Sequence, residues 1–211
     1  MERTINKFGG KKFSIEAQVK SDLFGHFFRD ANDWINIYKA SQNLEIINMS
    51  IMTKQFILLR MDIECILKAI LIGLSNNNES AKQAYKSARK CSHNLEKLIE
   101  GCKMRINRRY HLCKKKTIDR IRKIDRLSIN VRYDLDMKTA FKNESFAEWA
   151  TGTGPVSGVV IDEKFQEEME KDYYGFVSLA MRVCRQRLKG HNIRRGSEMA
   201  KVDDYIKRIL T

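Results

Sequence analysis

The chain contains a single proline, Pro155, and only 11 glycines among its 211 residues. Folds built from many strands, such as sandwiches and doubly wound sheets, need frequent turns, and glycine and proline supply most of the residues that form them. Because 43% of the residues are apolar, the chain can still bury a sizeable core. The shortage of turn residues therefore predicts an all-α protein.

Apolar residues recur at helical spacing along most of the chain. The clearest stretch is 53–74, whose predicted buried stripe comprises Phe56, Leu59, Ile63, Ile66, Leu67, Ile70 and Leu74. Residues 49–53 form either a short break or part of the same helix. Other helices are predicted over 14–28, from Asp33 past Leu44, over 79–90, from Ser92 or His93 onwards, and over 114–129, 163–188 and 197–210. The stretch 151–161 contains the proline and three glycines, which predicts a loop or a short hairpin.

The chain is strongly basic, with 40 Lys and Arg against 26 Asp and Glu, for a net charge of +14. An excess of this size is typical of proteins that bind a polyanion, most often nucleic acid. The predicted helix 114–129 concentrates it, because its outer face carries Lys114, Lys115, Lys116, Arg120, Arg122, Lys123 and Arg126. Basic surfaces also bind acidic proteins, so a protein partner is the alternative.

Nothing in the sequence predicts contact with a membrane. No stretch has the roughly 18 uncharged apolar residues of a membrane span, and the N-terminus lacks the apolar run of a signal peptide. We therefore expect a cytoplasmic protein whose five cysteines are reduced.

Residues 61–98 carry a family resemblance. The stretch MDIECILKAILIGL is followed by a short polar connection and then by SHNLEKL, which begins the next helix. A glutamate, an apolar pair and Lys-Ala, followed by a histidine that opens a later helix, resemble the HEPN (higher eukaryotes and prokaryotes nucleotide-binding) domain. The matching residues are Glu64, Leu67, Lys68, Ala69, His93, Asn94, Leu95 and Leu98. The stretch 131–134 (VRYD) resembles the Arg-Tyr-Pro turn of many members, with aspartate in place of proline.

The resemblance implies an up-and-down HEPN-like helical bundle over 31–136. A basic arm and helix would precede it over 1–30, and a loop with a C-terminal helical extension would follow over 137–211. It also implies a homodimer that binds or cleaves RNA without a metal, as a component of an antiviral defence or toxin–antitoxin system. The alternatives are an ordinary helical bundle and a non-catalytic accessory protein that docks through its basic surface.

Metal-independent RNA cleavage needs an acid or base that works near neutral pH, which histidine supplies. It also needs a fixed cation against the charge that develops on the phosphate, which arginine supplies. In the family that this chain resembles, an arginine precedes the histidine by a few positions. Five residues separate Arg105 from His111, and five separate Arg185 from His191. Arg105 and His111 lie inside the resembling region and are the catalytic candidates; Ile106, where the family usually carries a polar residue, favours the non-catalytic alternative.

Nine residues are candidates for binding RNA or a nucleotide. His93 either caps the helix that it opens or faces a bound nucleotide. Arg132 either closes the same pocket or anchors its turn to Glu64 or Asp62. The complete set is His93, Arg108, Arg109, Lys114, Lys115, Lys116, Arg120, Lys123 and Arg132.

No metal or cofactor is predicted. The pairs Cys91–His93 and His111–Cys113 offer zinc-binding side chains, but residues two apart on a helix point in nearly opposite directions. The glycine-containing stretch TGTGPVSG is not followed by Lys-Ser or Lys-Thr, so it lacks the requirements of a phosphate-binding loop.

Overall fold

The structure is a computed structural model that describes residues 7–8, 11–12, 14–44, 49–107, 110–127, 142–151, 153–188 and 204–208. Two short strands, β1 (Lys7–Phe8) and β2 (Lys11–Lys12), pair antiparallel near the N-terminus. The helices that follow are α1 (Ile15–Gln42), α2 (Met49–Gly73), α3 (Ala81–Lys90), α4 (Leu95–Arg105), α5 (Lys115–Arg126), α6 (Phe146–Thr151), α7 (Ser157–Val160) and α8 (Glu163–Val183). Helix α8 continues as a π-helical turn, Cys184–Leu188, and residues 204–208 are helical. The prediction of an all-α helical bundle is confirmed.

Helix α2 is the centre of the bundle, packed against α1, α3, α4 and α8. Every residue of the predicted stripe over 53–74 is fully buried. The opposite side of α2 is covered as well, because Cys65, Leu71 and Ile72 are also buried. A helix that is buried on all sides needs other helices around it, and α1, α3, α4 and α8 surround α2. The alternative in which residues 49–53 are helical is the one that the structure shows.

Helix α1 is a single 28-residue helix, so the prediction of two helices separated before Asp33 was wrong. Ser14 caps its N-terminus by accepting a hydrogen bond from the backbone N–H of Ala17. Asp33 lies exposed in the middle, while Ala31 and Ile35 on either side are buried. Continuous packing on α2 therefore outweighs the tendency of an aspartate to start a helix. The helix also runs uninterrupted across the predicted domain boundary after residue 30.

The ends of other helices also differ from prediction. Asn94 caps α4 through a 2.6 Å hydrogen bond from the Lys97 N–H to its side chain, and Ser92 and His93 precede it in a turn. Within 151–161 the structure has the end of α6 and the one-turn helix α7 where a loop or hairpin was predicted. The carboxylate of Glu144 accepts backbone N–H groups at the start of α7, which explains why this short turn forms. The predicted helix 197–210 lies mostly outside the described residues.

A buried polar network fixes α5 against α2 and α4. The Asp125 carboxylate accepts the backbone N–H groups of Leu95 (3.2 Å) and Glu96 (2.7 Å) at the start of α4. Arg60 of α2 donates to Asp125 (3.4 Å) and to the His93 carbonyl (3.1 Å). Burial raises the pKa of Asp125 despite these donors.

In the described part of the chain, no helix is long and apolar enough to cross a membrane.

Candidate nucleic-acid interface

A cleft of about 590 Å³ opens between residues 111–114, the first turns of α5 and the outer side of α8. Five cationic side chains and two carboxylates line it, together with His111. The cations are Lys114, Lys116, Arg120, Lys171 and Arg182, and the carboxylates are Glu168 and Asp172. The cleft therefore has an excess of positive charge.

His111 lies in a segment before α5 in which buried and exposed side chains alternate, and this alternation explains why it lines the cleft. Tyr110 and Leu112 are buried, whereas His111 between them is exposed. Tyr110 is held in place because its hydroxyl donates a 2.7 Å hydrogen bond to Gln186 in the π-helical turn. Neighbouring side chains on an extended backbone point to opposite sides. Burial of Tyr110 and Leu112 thus directs His111 towards the cleft.

Asp172 of α8 joins the two helices that form the cleft. It accepts hydrogen bonds from the Thr117 hydroxyl (2.6 Å) and from Nε (2.7 Å) and Nη2 (2.9 Å) of Arg120. This bidentate pair raises the pKa of Arg120, chiefly through the hydrogen bonds to Asp172. Arg120, predicted to bind nucleic acid, therefore acts in the structure as a neutralised part of the cleft wall.

The start of α5 carries positive charge that the described residues do not neutralise. Lys114, at the N-cap, makes no side-chain capping hydrogen bond, and the first turn contains no acidic residue. Lys114, Lys115, Lys116 and Lys123 are all exposed, and none forms an ion pair in the described part of the chain. Because a helix N-terminus is itself the positive end of a dipole, this cluster favours an anion nearby.

Arg105 is the last residue of α4, and its side chain reaches the C-terminal end of α2. It is not among the residues that line the cleft. Its guanidinium donates to the Leu71 carbonyl (2.9 Å) and to Glu79 (2.7 Å). Arg187 and Lys20 serve the same helix end by donating to nearby carbonyls. Cations at a helix C-terminus satisfy its free carbonyls and complement its dipole. The structure thus places His111 in the cleft and gives Arg105 structural contacts elsewhere.

His93 contacts a buried carboxylate and does not cap α4. Its Nδ1 lies 3.0 Å from each carboxylate oxygen of Glu64, which is almost fully buried in α2. Lys68 donates to the same carboxylate at 2.6 Å. Three residues of the HEPN resemblance therefore meet in space, although no local pattern indicates that His93 and Glu64 are paired.

Four of the remaining candidate residues lie outside the described residues: Arg108, Arg109, Arg132 and His191.

The cysteine–histidine pairs do not form a metal site in the structure. Among the residues that are described, no three His, Cys, Asp or Glu side chains are grouped so that they could hold a metal ion. Burial raises the pKa of Cys113 to about 11 and also raises that of Cys91, which keeps both thiols protonated near neutral pH.

In comparisons with known proteins, no family model, no curated protein and no solved structure matches the chain. The HEPN resemblance therefore depends on the residues of this chain alone, and it stays a prediction.

Proposed function

We propose that the protein binds nucleic acid, with RNA favoured, through the cleft between α5 and α8 and the adjoining lysines of α5. The observation that carries the proposal is the excess of cations in the cleft. Asp172 and Glu168 neutralise Arg120 and Lys171, whereas Lys114, Lys116 and Arg182 have no ion-pair partner among the described residues. Ammonium and guanidinium groups of this kind bind phosphate oxygens and release counterions from the polyanion.

RNA is favoured over an acidic protein for two reasons. The cleft adjoins the positive end of the α5 dipole, which suits the compact charge of a phosphate. The HEPN resemblance also implies RNA, and it supports assignment to a HEPN-type protein of a defence or toxin–antitoxin system, active as a homodimer. An acidic protein partner remains the alternative function, and it would bind the same lysines.

Cleavage of the bound RNA is the second candidate function, and the position of His111 favours it. The ring is exposed at the wall of a cationic cleft, where it can exchange a proton with a ribose 2′-hydroxyl. Because Arg105 is engaged at the end of α2, the cation that stabilises the developing charge would be one that lines the cleft, such as Arg182. Removal of His111 should then lower the cleavage rate by about 10²- to 10⁴-fold.

Replacing three cleft cations tests the binding proposal. The variant Lys114→Ser, Lys116→Ser, Arg182→Ser should bind single-stranded RNA at least about tenfold more weakly, and its log Kd should depend less steeply on log salt, by up to about 2 units of slope. Titration by fluorescence anisotropy at several salt concentrations measures both quantities.

A matched control carries the same change of net charge outside the cleft. Lys54, Lys142 and Lys164 are exposed and do not line the cleft. Their replacement by serine should reduce affinity much less than the cleft variant does. Equal losses in the two triple variants would mean that net charge alone governs binding, and the cleft would then have no special role.

A further inference from the structure

Helix α3 forms a second basic surface, separate from the cleft. It carries Lys82, Lys86, Arg89 and Lys90 and contains no acidic residue. All four side chains are exposed, and within the described ranges none of them forms an ion pair. Helix α3 packs on α1 and α2, whereas α5 packs on α4 and α8. The two basic surfaces therefore belong to different parts of the bundle.

Two aromatic rings adjoin the cations of this second surface. Tyr85 of α3 and Phe27 of α1 are both partly exposed, and their ring centroids are 6.4 Å apart. The guanidinium carbon of Arg89 lies 5.8 Å from the centroid of Tyr85, and the Lys68 Nζ lies 5.8 Å from that of Phe27. The two neighbouring rings therefore lie between α1 and α3 with a cation at each end, Lys68 beside Phe27 and Arg89 beside Tyr85.

The same series of contacts extends to the turn after α3. Lys68 is paired with Glu64, and Glu64 in turn holds the partly exposed ring of His93. Ser92, next to His93, has φ of 50°, a backbone conformation that costs energy for a residue other than glycine. We call the surface formed by Phe27, Lys68, Tyr85, Arg89 and His93 the α3 platform.

A surface of this composition suits unpaired bases. Proteins that bind single strands combine cations along the backbone with rings on which bases stack, and guanidinium planes also stack on bases. In a duplex the base faces are covered, so a duplex would use only the cations.

We propose that the α3 platform stacks an unpaired base of single-stranded RNA, while Lys82, Lys86 and Lys90 hold the neighbouring phosphates. Tyr85 supplies the stacking ring, with Phe27 supporting it and Arg89 extending the stack. This inference rests on the proposed function in taking RNA as the ligand, and it adds a second contact that distinguishes single strands from duplexes.

The experiment compares two labelled strands of equal length, an oligouridine and an abasic ribose-phosphate strand. Both carry the same phosphates, but only the first offers bases. The wild-type protein should bind oligouridine more tightly, by about 5- to 150-fold for each stacked base. Tyr85→Leu should remove that preference and leave binding of the abasic strand unchanged, while Tyr85→Phe, which keeps the ring, should retain it.

Each outcome has a definite meaning once circular dichroism shows that the variants are folded. A preference for oligouridine that survives in Tyr85→Leu overturns the inference, and so does an equal loss for both strands. The cleft variant Lys114→Ser, Lys116→Ser, Arg182→Ser should weaken both strands alike. If it has no effect while Tyr85→Leu removes the preference, the cleft proposal fails and the α3 platform stands. Wild-type protein that binds neither strand at low salt overturns both.

Discussion

Replacing Asp62 with asparagine should stabilise the protein, and the gain should grow as the pH rises. Asp62 lies in α2, is fully buried, and neither of its carboxylate oxygens has a hydrogen-bonding partner among the described residues. Burial raises the pKa of Asp62 well above its ordinary value. The dipole of the adjacent Ile63 backbone N–H offsets part of this rise, and the charge of Glu170 adds to it. A buried carboxylate without donors is one of the most costly groups that a core can contain.

The sign of the pH dependence follows from proton binding. Below about pH 4 Asp62 is protonated in the folded and the unfolded chain, so it contributes no pH dependence there. As the pH rises, the unfolded chain loses this proton first, and the free energy of unfolding falls by up to about 1.4 kcal/mol per pH unit until the folded protein ionises. Asparagine has no proton to lose, so the difference from wild type should increase over this interval.

Urea denaturation at about pH 5 and about pH 8 measures the effect. Asp33→Asn is the matched control, since Asp33 is exposed on α1 and its replacement should change stability by less than about 0.5 kcal/mol. Burial raises the pKa of Tyr38, which interacts with Asp62, to about 12, so its phenol stays neutral over this range. If the free energy of unfolding changed with pH in the same way for Asp62→Asn and wild type, Asp62 would have a partner that stabilises its charge, and the prediction would be contradicted.

Arg105→Ala should lower the free energy of unfolding by about 2–3 kcal/mol, whereas His111→Ala should change it by less than about 0.5 kcal/mol. The Arg105 side chain is only 18% exposed, and its partner Glu79 is 16% exposed. Alanine would leave the Glu79 carboxylate and the Leu71 carbonyl without this donor. His111 is exposed, so its loss leaves no such groups.

Thermal denaturation distinguishes the two variants, because a loss of this size lowers the midpoint by about 4–12 °C in a chain of this length. Lysine in Arg105→Lys keeps the charge but lacks the planar fork that bonds to both acceptors. The midpoint of this variant should therefore lie between those of wild type and Arg105→Ala. Equal midpoints for Arg105→Ala and His111→Ala would contradict the structural role of Arg105. The result also decides how cleavage assays are interpreted, since only His111→Ala tests catalysis without a change in stability.

The sequence predicted those features that depend on local spacing. The buried stripe of α2 repeats every three or four residues, so its positions could be read directly, and the same holds for the basic outer face of α5. The predicted break before Asp33 was wrong because the buried residues Ala31 and Ile35 continue the packing of α1 across this position, which outweighs the helix-starting tendency of one exposed aspartate.

Features that depend on long-range contacts could not be predicted. Asp172 lies 52 positions beyond Arg120, and nothing in either segment indicates that it neutralises this arginine. Glu64 and His93 are 29 positions apart, and Arg105 reaches a carbonyl 34 positions away. The sequence also could not show that Asp62 has no hydrogen-bonding partner among the described residues, because that depends on how the helices pack around it.

The central claim is that the cationic cleft and the lysines of α5 bind the phosphates of RNA, and the salt dependence of RNA affinity tests it most directly. Wild-type protein is titrated with a labelled single-stranded RNA at salt concentrations from about 50 to about 200 mM. Because several phosphates are neutralised together, we expect measurable binding at low salt and a fall in affinity of at least about tenfold over this range. An affinity that hardly changes with salt, or no binding at the lowest salt concentration, would contradict the claim.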